Sequence, residues 1–118
     1  MVSSLKYLSN VFLSLGFLSL ATATIPNGQA AQTLTSVNID HFKFMPGVLQ
    51  VHTGQTVNFF NKDGDPHTIA SQDGSFESPA LDTGDSWKHT FTKLGTYTYI
   101  CTLHPFMQGN ITVTGEKQ

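Results

Sequence analysis

The chain has 118 residues, with six lysines, no arginine, eight carboxylates and a formal charge of −2. That length allows one domain at most, and without arginine or a basic stripe it lacks the phosphate-binding footprint of a nucleic-acid protein. Its single cysteine excludes an internal disulfide.

Residues 1–30 have the layout of a secretory signal peptide. Lys6 supplies a positive start, Leu8 to Ala21 is largely apolar, and small residues follow at Ala21-Thr22-Ala23 and Gly28-Gln29-Ala30. The apolar run falls short of the roughly 20 residues that a spanning helix needs, and no cysteine near its end offers a lipid attachment point. The expectation is export to the periplasm or a similar compartment, leaving a monomeric mature domain, 31–118, free of the membrane. So small a domain often needs a staple, and a metal joining distant parts of the chain would serve. The mature part sets five lysines against eight carboxylates, a mildly acidic balance that can steer a cationic partner.

Along the mature chain, Leu34 to Ile39 alternates apolar and polar residues, as a half-buried strand does. Pro46-Gly47 marks a turn, Val48 to Val51 is short and apolar, and Thr53-Gly54-Gln55 turns again. Thr56 to Asn61 reads as a strand with core aromatics. The loop Asn61-Lys62-Asp63-Gly64-Asp65-Pro66 then delivers His67. Ser71 to Asp85 is rich in Gly, Ser, Asp and Pro, with a brief strand expected at Ser75-Phe76-Glu77. Ser86 to Thr92 alternates, Leu94-Gly95 turns into Thr96 to Cys101, and Gly109 to Thr114 forms a last strand. Short strands at regular spacing predict an antiparallel β-sandwich or barrel. Period-two geometry puts Tyr97, Tyr99 and Cys101 on one face and Thr96, Thr98 and Ile100 on the other.

The chemistry concentrates in Cys101-Thr102-Leu103-His104-Pro105-Phe106-Met107. A thiolate, an imidazole and a thioether at C-x2-H-x2-M spacing form a soft ligand set on one loop, and His67 is the upstream candidate for a second imidazole. Two His, one Cys and a weak axial Met describe a type 1 copper centre. Zinc prefers closed sites of Cys and His, and a thioether suits it poorly. A Cys101/His104 nucleophile-base pair comes without an oxyanion signature. His41, His52 and His89 lack a partnered spacing and read as surface or strand positions. Met45 reads as core.

This ligand loop resembles that of the cupredoxins, its short spacing being most similar to the amicyanin and plastocyanin type, and the similarity extends over roughly residues 33 to 114. The resemblance implies an all-β Greek-key sandwich with one mononuclear type 1 copper held by His67, Cys101, His104 and Met107. It further implies a one-electron carrier rather than an enzyme. Its redox partners, such as a cytochrome c or a dehydrogenase, would dock near His104, Pro105 and Phe106. The rival function is copper binding for homeostasis or tolerance. One departure stands out: where many cupredoxins place an Asn after the first His ligand, this chain has Thr68, opposite Thr102.

Overall fold

Alternating apolar residues drive eight strands into two facing sheets in the computed structural model, which describes residues 34–116 together with the isolated Gly16 and Ala21. The leader expected at 1–30 otherwise lies outside the described residues. The strands are β1 (Thr35–Asp40), β2 (Lys43–Met45), β3 (Val48–His52), β4 (Gln55–Asn61), β5 (Ala70–Ser71), β6 (Ser86–Phe91), β7 (Gly95–Ile100) and β8 (Gln108–Thr114). One sheet has the order β2-β1-β4-β6 and the other β3-β8-β7-β5. The all-β sandwich expected from the sequence is therefore the fold.

Two details correct the reading from pattern. β1 pairs with β4, and β3 with β8, in parallel, while the other ladders are antiparallel. Parallel neighbours require a crossover, and here the chain crosses through the opposite sheet between them; alternation is blind to strand direction. The brief strand expected at Ser75-Phe76-Glu77 shrinks to a single bridge between Glu77 and Ala70.

The inward faces interdigitate as a β-sandwich requires. Val37 and Ile39 of β1, Val57 and Phe59 of β4, Tyr99 of β7, and Ile111 and Val113 of β8 are all buried. Each such side chain contributes about 1.5–3 kcal/mol by leaving water. The rings form a connected set, with Tyr99 edge-on to Phe44 at 4.8 Å and to Phe59 at 5.6 Å. Phe76, projecting from the long β5–β6 connection, covers the flank of the sandwich against Phe91 and His89. Met45, expected in the core, is half exposed because it sits on the outward face of the edge strand β2.

The β7 alternation falls as the sequence predicts. Tyr99 and Cys101 are fully buried and Tyr97 packs against the core, whereas Thr96 is exposed. Cys101 thus enters the core at the end of β7, the end at which the loops carrying His67 and His104 also gather.

Candidate metal centre

His67 is delivered by a loop that is organised from within. The buried Asn61 donates through Nδ2 to the carbonyls of Asp65 and Leu81 at 2.8 and 2.9 Å, and its Oδ1 accepts the Asp63 N–H at 2.9 Å. Asn and Asp favour such turns because their short side chains reach backbone groups two residues on. His67 is then clamped by reciprocal backbone hydrogen bonds with Leu81, at 3.1 and 2.8 Å.

The second loop closes on itself. The Cys101 N–H donates to the Met107 carbonyl at 3.2 Å, and the Met107 N–H donates to the His104 carbonyl at 2.9 Å. These bonds hold the sulfur of Cys101 and the thioether of Met107, both buried, on one tight turn. His104 is half-buried, Pro105 is exposed and Phe106 is largely exposed.

The ligand atoms converge. One donor atom from each of His67, Cys101 and His104 lies within 4.8 Å of the others, and each imidazole presents Nδ1 to the Cys101 Sγ at 3.7 Å. A thiol can donate to one ring nitrogen and accept from the other, and a thiolate with two facing nitrogen lone pairs can equally share one ion with them. With N and S donors at about 2.0–2.3 Å from a first-row metal, each 3.7 Å separation is one that a shared ion would span at roughly 120°. The donor set therefore fits copper, with the buried Met107 available as the weak fourth donor.

Asp63 fixes the first imidazole. Its Oδ2 lies 2.9 Å from the His67 Nε2, so Nε2 carries the proton and the Nδ1 lone pair faces the sulfur. This carboxylate–histidine pairing orients metal ligands. Burial works to raise the Asp63 pKa, but N–H donors from Phe42 and His41 and the His67 ring outweigh it and hold the carboxyl below its ordinary value.

The same carboxylate secures the β1–β2 hairpin. His41 and Phe42, the two residues between these strands, have φ of 51° and 56°. Left-handed backbone at both positions is the I′ geometry of two-residue hairpins, which favours Asn-Gly. For bulkier residues it costs about 1–3 kcal/mol each. Asp63 accepts both turn N–H groups, at 2.7 and 2.9 Å, and hydrogen bonds to a charged group contribute about 1.5–3 kcal/mol each, which offsets the strain. Phe42 then lies edge-on to His67 at 5.4 Å and to His104 at 5.2 Å.

Thr68 and Thr102 bridge the two loops that carry His67 and Cys101. Their hydroxyls are 2.8 Å apart, and the Thr102 N–H donates to the Thr68 Oγ1 at 2.8 Å. The Thr68 N–H points at the Cys101 Sγ at 3.4 Å. Of the histidines read as bystanders, His41 is exposed beside Asp40 and His52 bonds to the end of β8 and the Gly115 carbonyl. His89 is stacked 5.4 Å from Trp87 in the half-buried aromatic flank, where burial lowers its pKa.

Comparison with known proteins agrees with this geometry. A family model described as Cupredoxin-like domain matches residues 11–113, beginning within the apolar run near the N-terminus. Amicyanin of Paracoccus denitrificans is 32% identical over 102 residues, covering 77% of this chain and 78% of that protein. A Cu(I) structure of an amicyanin variant superposes with a TM-score of 0.64 at 34% identity, covering 69% of this chain and 82% of its own. A Cu-containing nitrite reductase from Thermus scotoductus gives a TM-score of 0.66 at 34% identity over 72% of this chain, but this chain spans only 23% of that one. The fold and the convergent donor set define a cupredoxin-type domain. The chain belongs to the cupredoxin-like family, and amicyanin is among the relatives it resembles over most of its length.

Proposed function

We propose that the protein is a one-electron carrier working through a single type 1 copper held by the Nδ1 atoms of His67 and His104, the Sγ of Cys101 and the thioether of Met107. The observation that carries this reading is the pair of imidazole Nδ1 atoms, each 3.7 Å from one buried sulfur. Copper, when bound, supplies a Cu(I)/Cu(II) couple. The chain supplies rigidity and insulation. Cys101 and His67 are wholly buried, so water and exogenous ligands are kept from these two donors. Asp63, Leu81 and the Thr68–Thr102 bridge hold those donors in place from two sheets, which limits rearrangement between oxidation states. With the buried Met107 as a fourth donor beside His67, Cys101 and His104, the site would leave no open position for a substrate, which favours a carrier over an enzyme.

His104 is the port in this reading. It reaches from the sulfur to a surface where Pro105 and Phe106 provide an apolar contact area, suited to brief docking with a redox protein such as a cytochrome c or a dehydrogenase. Residues 1–30 are a removable signal peptide in the same proposal, supported by their charge and hydropathy layout, and 31–118 is the exported domain. Among the described residues no helix is long and apolar enough to cross a membrane.

Repeated voltammetric cycling in the presence of a Cu(I) chelator tests the carrier role. A carrier keeps one copper per chain and a constant reversible wave through many cycles. Surrender of the metal to the chelator on the first reduction would support delivery or homeostasis instead.

A further inference from the structure

We infer that Phe42 is a positioning residue of the metal centre, that it chiefly orients His104, and that Asp63 sets it in place. A two-residue hairpin turn with left-handed backbone at both positions selects Asn and Gly, yet this one carries His41 and Phe42. Nothing within the hairpin requires a phenyl group there. The ring instead leaves the hairpin and packs against residues from two other loops, His67 at 5.4 Å and His104 at 5.2 Å, with Phe106 beyond at 6.4 Å.

The two imidazoles do not depend on it equally. His67 is fixed by Asp63 at Nε2 and by its backbone ladder with Leu81. Among the described residues the Cys101 sulfur is the one hydrogen-bonding partner of the His104 ring, and the rings of Phe42, His67 and Phe106 pack around it. Phe106 is 74% exposed and Phe42 only 37%, which makes Phe42 the firmer of the two flanking walls.

Asp63 couples these parts. Its Oδ1 accepts the His41 N–H, while its Oδ2 is shared between the Phe42 N–H and the His67 Nε2. One carboxylate thus orients one ligand directly and the other through the aromatic ring it anchors. The inference deepens the carrier reading and rests on it for the copper measurements, but the orientation of His104 can be measured without metal.

The experiment compares the wild type with Phe42→Leu, Phe42→Tyr and the double variant His41→Asn/Phe42→Gly. The double variant installs the turn's preferred residues, so it retains the hairpin while removing the ring. In the metal-free proteins, NMR relaxation of the imidazole carbons is expected to show loss of His104 ring order in Phe42→Leu and in the double variant. His67 stays ordered, and Phe42→Tyr behaves as the wild type. In the copper-loaded proteins, the same two variants release Cu(II) to a chelator roughly tenfold faster, the lower end for loss of a group that supports a ligand. Their reduction potentials also move away from the value that Phe42→Tyr keeps. A His104 ring as ordered in the double variant as in the wild type, or equal disorder of His67 and His104, would overturn the inference. Absence of a type 1 spectrum from the copper-loaded wild type would instead overturn the carrier reading, leaving the metal-free comparison to decide the role of Phe42.

Discussion

Gly109→Ala should damage this protein far more than one added methyl group suggests. Gly109 is buried in β8 opposite Tyr99 of β7, and a Cβ there would fall within 3.0 Å of the Tyr99 Cζ, Oη and Cε2 atoms. Tyr99 has nowhere to retreat, being fully buried with Phe44 at 4.8 Å and Phe59 at 5.6 Å. Overpacking costs about 1–3 kcal/mol and more where neighbours cannot yield, so a loss of about 3 kcal/mol is expected. For a domain of this size that lowers Tm by roughly 12 °C or more. The assay is thermal unfolding of the metal-free protein followed by circular dichroism, in native, Tyr99→Phe and Tyr99→Leu backgrounds. Phenylalanine keeps the offending Cζ, so most of the penalty persists; leucine lacks it, so Gly109→Ala becomes nearly neutral there. An equal loss of Tm in all three backgrounds, or none in the native one, would refute the steric argument. The single variant Tyr99→Phe should itself be neutral or stabilising. The buried hydroxyl has no partner among the described residues, and an unpaired buried hydroxyl carries a desolvation cost of about 1–3 kcal/mol.

Thr68→Val removes the hydroxyl that joins the two ligand loops and lies 3.8 Å from the Cys101 Sγ. A more electron-rich thiolate favours Cu(II), so voltammetry should find a lower reduction potential. One net hydrogen bond of about 1 kcal/mol sets the scale at up to about 40 mV for a one-electron couple, and an unchanged or higher potential counts against a role for this hydroxyl. Asp63→Asn loosens the β1–β2 turn and His67 together. Chelator competition should show roughly 10–100-fold weaker metal binding, whereas a variant matching the wild type would show that the carboxylate is dispensable. His89 is held below its ordinary pKa of 6.5 by burial. The unfolded chain therefore takes up the proton first as pH falls, and the stability this residue contributes is present above 6.5 and lost below it. Denaturant midpoints should fall as pH is lowered through that value and fall less in His89→Phe; identical profiles would remove burial of His89 as the cause.

Much of the site is written in local sequence, and the remainder depends on contacts that local sequence does not encode. The spacing from Cys101 through His104 to Met107 sits on one turn, and the alternation of Tyr97, Tyr99 and Cys101 aims the sulfur inward, so those residues are legible from period and chemistry alone. His67 is legible only as the His that follows a turn-rich loop; its approach to Cys101 is a long-range event that the structure supplies. Asn61 and Asp63 carried a weak signal, as Asx residues just ahead of Pro66-His67, but their bonds to Leu81, His41 and Phe42 span about twenty residues. Phe42 carried no signal, because a residue at a hairpin turn reads as solvent-facing until a second loop is folded over it. Strand direction was equally hidden, since parallel and antiparallel partners share the same period of two. Gly109 read as an ordinary strand start, and its need for a missing Cβ appears only with the Tyr99 ring on top of it.

The most direct test of the central claim is a Cu(II) titration of the chain from Ala31 onward, followed by visible absorption and electron spin resonance. The expected result is an intense thiolate-to-copper charge-transfer band that saturates at one copper per chain and is lost in Cys101→Ser and His67→Ala. Copper bound without thiolate character, or a band that survives Cys101→Ser, would contradict it.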